Sequence, residues 1–204
     1  LMAIAAMLYP DGSDEQKFWV SQARNAFMAF ALYLFENRDD EIAIGFPAGA
    51  APTLGAIYRL SSGDGTDLRK FLQQLAQRPF LGEKSRQAFA NLLSQADETF
   101  ASIMGTFKEP LNAWINPVLD AATSADDFDL TALRKQRMTI YIGIQPNKLA
   151  ESRLIINLFF SQIINLNTRQ LPQANPELKH QVLLLMDEFT AIGKVDIIAS
   201  AVSI

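Results

Sequence analysis

Residues 182–189 read VLLLMDEF, an apolar run that ends in two adjacent carboxylates, Asp187 and Glu188. The run is five residues long, and Gly193 follows soon after it. This pattern predicts a strand that is buried on both faces of a parallel sheet. The carboxylates would then lie at the carboxyl edge, where open α/β sheets bind their ligands.

Two carboxylates at such an edge have distinct roles in nucleotide hydrolases of the P-loop class. The first, here Asp187, would hold the magnesium ion of Mg-ATP through water, and the second, Glu188, would orient or deprotonate the attacking water. The alternative is a strand that ends in a solvated acidic turn. An apolar run followed by Asp-Glu arises by chance in roughly a few per cent of chains of this length. The rest of the sequence therefore has to decide.

Composition limits the choices. The chain has 204 residues, of which 49% are hydrophobic, enough for one large or two small domains. Its net charge of −4 gives no general attraction to nucleic acid or anionic lipid. There is no cysteine, which excludes disulfides and thiolate metal sites and fits a reducing compartment. The only histidine in the sequence is His180.

Neither end of the chain has the features of a natural terminus. The chain starts at Leu1 and stops at Ile204, each within an apolar pattern that has no capping residue. We therefore expect an excised fragment. The longest apolar run, residues 26–35, is about half the length that spans a bilayer.

The first two thirds of the chain have the apolar spacing of helices. One stripe predicts a long helix that ends near Asn37 and contains Trp19, Ala23, Phe27, Phe30 and Leu34. Further helices are predicted at residues 53–60 and 68–75, over about twenty residues from Glu83, and in short pieces around Pro117. Gly105 and Pro110 are expected to break the helix from Glu83. A loop at residues 42–52, which is our candidate contact surface, and an acidic linker at residues 123–129 separate these elements.

The periodicity changes after the linker. Residues 138–144, MTIYIGI, predict a strand that ends at Gln145-Pro146-Asn147. A helix from Leu149 to about Asn167, the strand at residues 182–186 and a helix from Val195 follow. This order predicts parallel βαβ units with right-handed crossovers. The fold class is therefore mainly α with an α/β part.

Several blocks together resemble the coupling proteins of type IV secretion and conjugation systems, the TraG/TraD type. The blocks are KFW (17–19), ARN (23–25), TIYIGIQPN (139–147), NLFFSQ (157–162), LMDEF (185–189) and GK (193–194). Their order and spacing match along nearly the whole chain. The resemblance implies a homohexameric ATPase at the cytoplasmic face of the bacterial inner membrane. It would deliver DNA bound to a relaxase, or effector proteins, to the channel proteins of the secretion system.

The resemblance also implies how the chain is divided. Residues 1–128 would be an all-α domain, and residues 129–204 would be part of a RecA-like nucleotide-binding domain in which Asp187 and Glu188 take the Walker B roles. Gln145 could sense the γ-phosphate or be a turn residue before Pro146. The chain contains no P-loop motif, which in the family lies upstream, as does the membrane anchor. We therefore predict that the fragment neither binds ATP tightly nor hydrolyses it.

Three hypotheses remain open. The first is the coupling ATPase, the second is a related hexameric DNA translocase or helicase, and the third is a non-enzymatic helical protein-binding module. The basic cluster of Arg134, Lys135 and Arg137 could contact DNA phosphates or be a solvated entry to the strand. The helical part is acidic, which favours relaxosome or effector proteins as its partners over DNA.

Overall fold

The computed structural model describes residues 1–37, 52–186 and 198. Across these residues the chain is mainly helical, and none of them is assigned to a strand. The chain forms two compact units, residues 1–125 and residues 126–204. No helix in the described part is long and apolar enough to cross a membrane.

The first unit is helical throughout its described part. Its α-helices are α1 (Met2–Leu8), α2 (Lys17–Glu36), α3 (Leu54–Ser61), α4 (Leu68–Ala76), α5 (Glu83–Leu93), α6 (Asp97–Leu111) and α7 (Pro117–Ala122). A short 3-10 helix, Asn112–Ile115, connects α6 to α7. The short helical pieces predicted around Pro117 are therefore confirmed.

Helix α2 is the centre of this unit and contacts α1, α3, α5 and α6. Its buried residues alternate small alanines, which let neighbouring helices approach, with large rings that fill the space between them. The Phe30 ring stacks on Phe107 at 5.2 Å and meets Phe89 edge-on at 5.9 Å. The predicted apolar stripe is confirmed as core from Ala23 to Leu34, whereas Trp19 is half-buried. Helix α2 ends at Glu36 with Asn37 as its cap.

Polar side chains fix where three helices begin. The Thr53 hydroxyl accepts a hydrogen bond from the Ala56 amide at the start of α3, and the Asp67 carboxylate accepts one from the Lys70 amide at the start of α4. Such caps satisfy amides that have no partner within the helix. The start of α5 is capped from outside, because the Glu36 carboxylate accepts hydrogen bonds from the Gly82 amide and the Ser85 hydroxyl.

The prediction of a single long helix from Glu83 is wrong. The structure has two helices, α5 and α6, separated by residues 94–96. Arg69 fixes the break, because its guanidinium donates to the carbonyl oxygens of Leu93 and Gln95, both at 2.8 Å. Residues that resemble one stripe in the sequence therefore belong to two consecutive helices.

The break predicted at Gly105 is also absent. Helix α6 continues through Gly105 and ends at Leu111. A glycine lowers helix propensity by only about 1 kcal/mol, which tertiary packing of the buried residues on either side of it outweighs. Pro110 lies in the last turn, where a helix can end without losing many hydrogen bonds.

The second unit is organised around α8 (Leu149–Asn167). Two short 3-10 helices, Leu130–Ala132 and Pro146–Lys148, precede it. Ile156 and Phe160 of α8 form the buried cluster, against which Ile144, Leu184, Met186 and Ile198 pack. The predicted helix is confirmed over its whole length.

The two segments predicted as strands, residues 138–144 and 182–186, have no strand assignment in the described part of the chain. Burial nevertheless alternates along residues 182–186, because Leu184 and Met186 pack on α8 whereas Leu183 and Leu185 are 85% and 87% exposed. Burial on both faces was predicted, and the described unit buries one face of this segment. Helix α8 covers one face, and no described residue of the unit covers the other.

Candidate functional site

The two carboxylates proposed for catalysis, Asp187 and Glu188, lie outside the described residues. Gly193 and Lys194 and nearly all of the loop at residues 42–52 lie outside them as well. The roles assigned to these residues therefore stay predictions. What the structure describes is the segment that leads to the carboxylates, up to Met186.

Gln145 ends the other predicted strand. It is the N-terminal cap of the 3-10 helix Pro146–Lys148, with φ −65° and ψ 140°. Its carbonyl oxygen accepts a hydrogen bond from the Lys148 amide at 2.8 Å, and its side chain makes no capping hydrogen bond. The backbone of Gln145 thus serves a turn, and its exposed side chain can meet a ligand. A role as a phosphate sensor stays a prediction.

The two segments reach α8 at the same place. Ile144, which precedes Gln145, and Met186, which precedes Asp187, both pack against the cluster of Ile156 and Phe160. Ile156 and Phe160 are one turn apart on α8. The last inward-facing residue of each segment therefore contacts the same turn of this helix. The chain therefore brings the ends of both segments to one part of the helix.

The beginnings of the segments are also joined. The backbone amide of His180 donates a hydrogen bond of 3.0 Å to the carbonyl oxygen of Arg134. This is consistent with His180 as a turn residue before the segment at 182–186. It places the entries to the two segments side by side.

The basic cluster is engaged in structural contacts. The Arg134 guanidinium donates to the carbonyl oxygens of Asn167 and Gln170, at 2.7 and 2.9 Å, and so satisfies carbonyls at the end of α8. The Lys135 ammonium lies 3.0 Å from the carboxylate of Glu177. Only Arg137 of the cluster has no hydrogen bond or ion pair with described residues. Two of the three cations are therefore already paired within the unit, which leaves the cluster poorly arranged to bind DNA phosphates.

Arg24, in the block ARN, is structural too. Its guanidinium donates two hydrogen bonds to the carbonyl oxygen of Tyr9, at 2.9 and 2.6 Å, and lies 2.9 Å from the Asp11 carboxylate. The Tyr9 hydroxyl in turn donates to the Phe107 carbonyl oxygen at 2.7 Å. Burial raises the pKa of the Tyr9 phenol. This network ties the segment after α1 to α2 and α6.

A cluster of polar side chains that was not predicted from the sequence lies between α2 and α5. They are exposed and consist of Asn25, Lys84, Gln87 and Asn91. The signal was present in the spacing of three and four between the last three of them, which places them on one face of α5. It was not distinguishable from an ordinary solvated helix face.

Histidine and carboxylate side chains, the usual protein ligands of metal ions, are spread out in the described residues. No three histidine or carboxylate side chains in this part of the chain lie close enough together to hold a metal ion. The magnesium site expected at Asp187 falls outside it.

Comparisons with known proteins cover nearly the whole chain. The family described as type IV secretory system conjugative DNA transfer matches residues 2–204. Protein VirD4 of Rhizobium radiobacter is 30% identical over 98% of this chain and 27% of its own length. VirD4 of Agrobacterium fabrum is 28% identical over 98% of this chain and 28% of its own length.

A more distant relative gives the same result. Conjugal transfer protein TraG of Escherichia coli is 22% identical over 95% of this chain and 31% of its own length. The chain thus spans less than a third of the length of these relatives. The match to the family, however, extends through both units and includes the blocks that carried the resemblance. The chain therefore belongs to the type IV secretory system conjugative DNA transfer family.

Proposed function

We propose that this chain is part of a coupling ATPase that drives transfer of DNA or effector proteins through a type IV secretion system. The longer protein would be a homohexamer anchored at the inner membrane. Residues 129–204 would belong to its RecA-like nucleotide-binding domain, and residues 1–128 to the all-α domain that recognises the cargo. The observation that carries the proposal is the family match over residues 2–204.

The contacts of the second unit support the RecA-like part. Burial alternates from one residue to the next along residues 182–186. This period of two residues is that of a β-strand. The segments at 138–144 and 182–186 start side by side and end at the same turn of α8. They therefore run in the same direction, with α8 between them in sequence, which is the connectivity of a parallel βαβ unit.

The exposed face of residues 182–186 supports the same proposal. Leu183 and Leu185 are almost fully exposed in the described unit, although two leucines removed from water gain about 1.5–3 kcal/mol each. A parallel sheet has helices on both faces. We propose that further parts of the nucleotide-binding domain in the longer protein cover these leucines.

In that sheet Asp187 and Glu188 would follow Met186 at the carboxyl edge. Asp187 would hold magnesium through water, and Glu188 would orient or deprotonate the water that attacks the γ-phosphate. ATP supplies the γ-phosphoryl group that is transferred to this water, and the hydrolysis would drive transfer of the cargo. Gln145, at the end of the neighbouring segment, would lie at the same edge and could contact the γ-phosphate.

The helical unit is suited to protein partners. Residues 1–125 contain 14 acidic and 10 basic residues, a net charge of −4. Its arginines Arg24, Arg59, Arg69 and Arg86 are held by carbonyl or carboxylate groups of the unit itself. Few cations are therefore left for phosphate contacts, so relaxosome or effector proteins are better candidates for its partners than DNA.

Plasmid transfer tests the proposal. Donor cells that carry Glu188→Gln in the full-length protein should transfer plasmid DNA at a rate at least a hundredfold lower, because loss of a water-orienting carboxylate costs several orders of magnitude in turnover. Glu177→Gln, which alters an exposed carboxylate paired with Lys135, is the control. Normal transfer by Glu188→Gln, with the protein present at wild-type level, would contradict the proposal.

A further inference from the structure

An open groove of about 170 Å³ lies between α2 and α5. Its lining residues are Asn25, Met28, Lys84, Gln87, Ala88 and Asn91. Met28 and Ala88 are half-buried and form the apolar floor, whereas the other four side chains are exposed. The groove thus combines an apolar floor with three carboxamides and one ammonium group.

The two helices that form the groove are antiparallel. Glu36, the last residue of α2, hydrogen-bonds to Gly82 and Ser85 at the start of α5. The Lys84 end of the groove therefore faces the end of α2, and the Asn91 end faces Asn25. A binding partner would meet the ammonium at one end and carboxamides at the other.

The polar groups of the groove are available for a partner. In the described part of the chain, the side chains of Asn25, Lys84, Gln87 and Asn91 make no hydrogen bond or ion pair. A carboxamide presents both a donor and an acceptor, as a peptide group does. Each of these three carboxamides can therefore form two hydrogen bonds to one residue of an extended peptide, because it can accept from the N–H and donate to the C=O of that residue.

The spacing along α5 matches an extended chain. Gln87 and Asn91 are one helical turn apart, about 6 Å along the axis at 1.5 Å per residue. In an extended peptide, groups that point the same way recur every two residues, about 6.6 Å. The full distance from Lys84 to Asn91, about 10 Å, accommodates roughly three extended residues.

Charge and apolar surface indicate the chemistry of the peptide. Among the described residues that line the groove, Lys84 is the only charged one, so the complementary group is a carboxylate. Phe35 lies two turns beyond Met28 on the same face of α2, and its ring is 44% exposed. An apolar side chain of the peptide can pack on this ring.

We propose that the α2–α5 groove binds an extended segment of a partner protein that carries an acidic residue. The carboxylate pairs with Lys84, and the peptide groups pair with Gln87, Asn91 and Asn25. This deepens the proposed function, because it assigns the recognition surface of the helical unit. A nucleic acid is the less suitable occupant, since each of its phosphates is charged, whereas Lys84 is the one cation among the described lining residues and the unit has a net charge of −4.

Selection of peptides on the 204-residue chain tests this. The probe is a phage-displayed library of random linear peptides of about twelve residues, long enough to exceed the groove at 3.3 Å per residue. We expect enriched peptides to contain an acidic residue. Their affinity should fall at least tenfold for Lys84→Glu and for Asn91→Ala, and it should be unchanged for Lys70→Glu, an exposed lysine of α4 outside the groove.

These variants should all fold, because an acidic residue in the first turn of α5 is favourable and Asn91 is exposed. Equal helical circular dichroism and equal melting temperatures will verify it. Three outcomes would overturn the inference: no enriched peptide, enriched peptides that are basic, or affinities that do not change in the groove variants. Binding of a labelled single-stranded oligonucleotide that Lys84→Glu abolishes would also overturn it, in favour of nucleic acid.

The inference and the proposed function fail separately. Peptide binding is measured on this chain without nucleotide, whereas the proposed function is measured as plasmid transfer by the full-length protein. Loss of transfer in Glu188→Gln together with no peptide binding would contradict only the inference that the groove binds a peptide. Peptide binding together with normal transfer in Glu188→Gln would contradict only the proposed ATPase function.

Discussion

The backbone amide of His180 donates a 3.0 Å hydrogen bond to the carbonyl oxygen of Arg134. This bond joins the entries to the segments at residues 138–144 and 182–186, which are separated along the chain by α8. Together with the packing of Ile144 and Met186 on one cluster of α8, it is the main structural support for a parallel arrangement of the two segments.

The alternation of burial along residues 182–186 predicts unequal effects of two neighbouring leucines. Leu184→Ala should destabilise the second unit by about 1–2 kcal/mol, because it removes apolar contacts to α8. Leu185→Ala is the matched control and should change stability in this chain by less than about 0.5 kcal/mol, since its side chain is 87% exposed. Amide hydrogen exchange in α8 measures both. Equal effects would exclude the period-two arrangement.

The contacts of Arg134 predict a structural role. Arg134→Ala should lower the stability of the second unit by about 1–3 kcal/mol, because two carbonyl oxygens at the end of α8 lose a charged donor. Arg137→Ala should leave the stability unchanged. Hydrogen exchange near Asn167 reports the difference. The account of the cluster is wrong if Arg137→Ala proves the more damaging change.

These contacts explain which parts of the fold the sequence could predict. Long apolar stripes identified α2 and α8 correctly because period-3.6 spacing over about twenty residues is unambiguous. The break between α5 and α6 was missed because Arg69, 24 residues before Leu93, terminates α5 through a tertiary contact. No local pattern in residues 94–96 encodes such a contact.

Two glycines in the helical unit should respond in opposite directions to alanine. Gly105→Ala should stabilise the unit by about 0.5–1 kcal/mol, because Gly105 is within a helix and a methyl group there meets open space. Gly55→Ala should destabilise it by about 0.5–1 kcal/mol, because the new methyl would displace the Asp120 carboxylate from its ion pair with Arg59.

Urea denaturation followed by tryptophan fluorescence measures these two variants. Both tryptophans, Trp19 and Trp114, lie in the first unit, so the signal reports that unit alone. A loss of stability in Gly105→Ala would show that the open space beside α6 is occupied. A Gly55→Ala variant as stable as the wild type would show that Asp120 rotates away at no cost.

Burial of Tyr9 predicts a dependence on alkaline pH. Its pKa in the folded state is raised above the ordinary value because burial disfavours the phenolate. The stability that neutral Tyr9 provides is therefore full below pH about 10, the ordinary tyrosine pKa, and is lost as the pH rises above it. We expect the tryptophan-monitored free energy of unfolding to fall above that pH.

Tyr9→Phe isolates this contribution. The variant should be less stable at neutral pH by about 1 kcal/mol, since the hydrogen bond to the Phe107 carbonyl oxygen is lost. The free energy of unfolding of Tyr9→Phe should fall less steeply at alkaline pH than that of the wild type. Tyr58→Phe, which alters a half-buried tyrosine of the same unit, is the control. A decline as steep in Tyr9→Phe as in the wild type would assign the effect to other groups.

The candidate sites differ in how far the sequence predicts them. Asp187 and Glu188 stand out because two charges directly after an apolar run are unusual, and the family match covers them. The groove residues Lys84 and Asn91 do not stand out, because exposed polar residues are the normal composition of a helix surface. Only their position beside Asn25, which depends on the antiparallel packing of α2 and α5, distinguishes them.

The proposed function assigns to Glu188 the water that attacks ATP in the full-length protein. The most direct test is ATP turnover by purified full-length protein, measured together with binding of a fluorescent ATP analogue. We predict that Glu188→Gln lowers turnover at least a hundredfold, because the carboxylate is lost, and changes nucleotide affinity by less than about threefold. Turnover of Glu188→Gln at the wild-type rate would contradict the account.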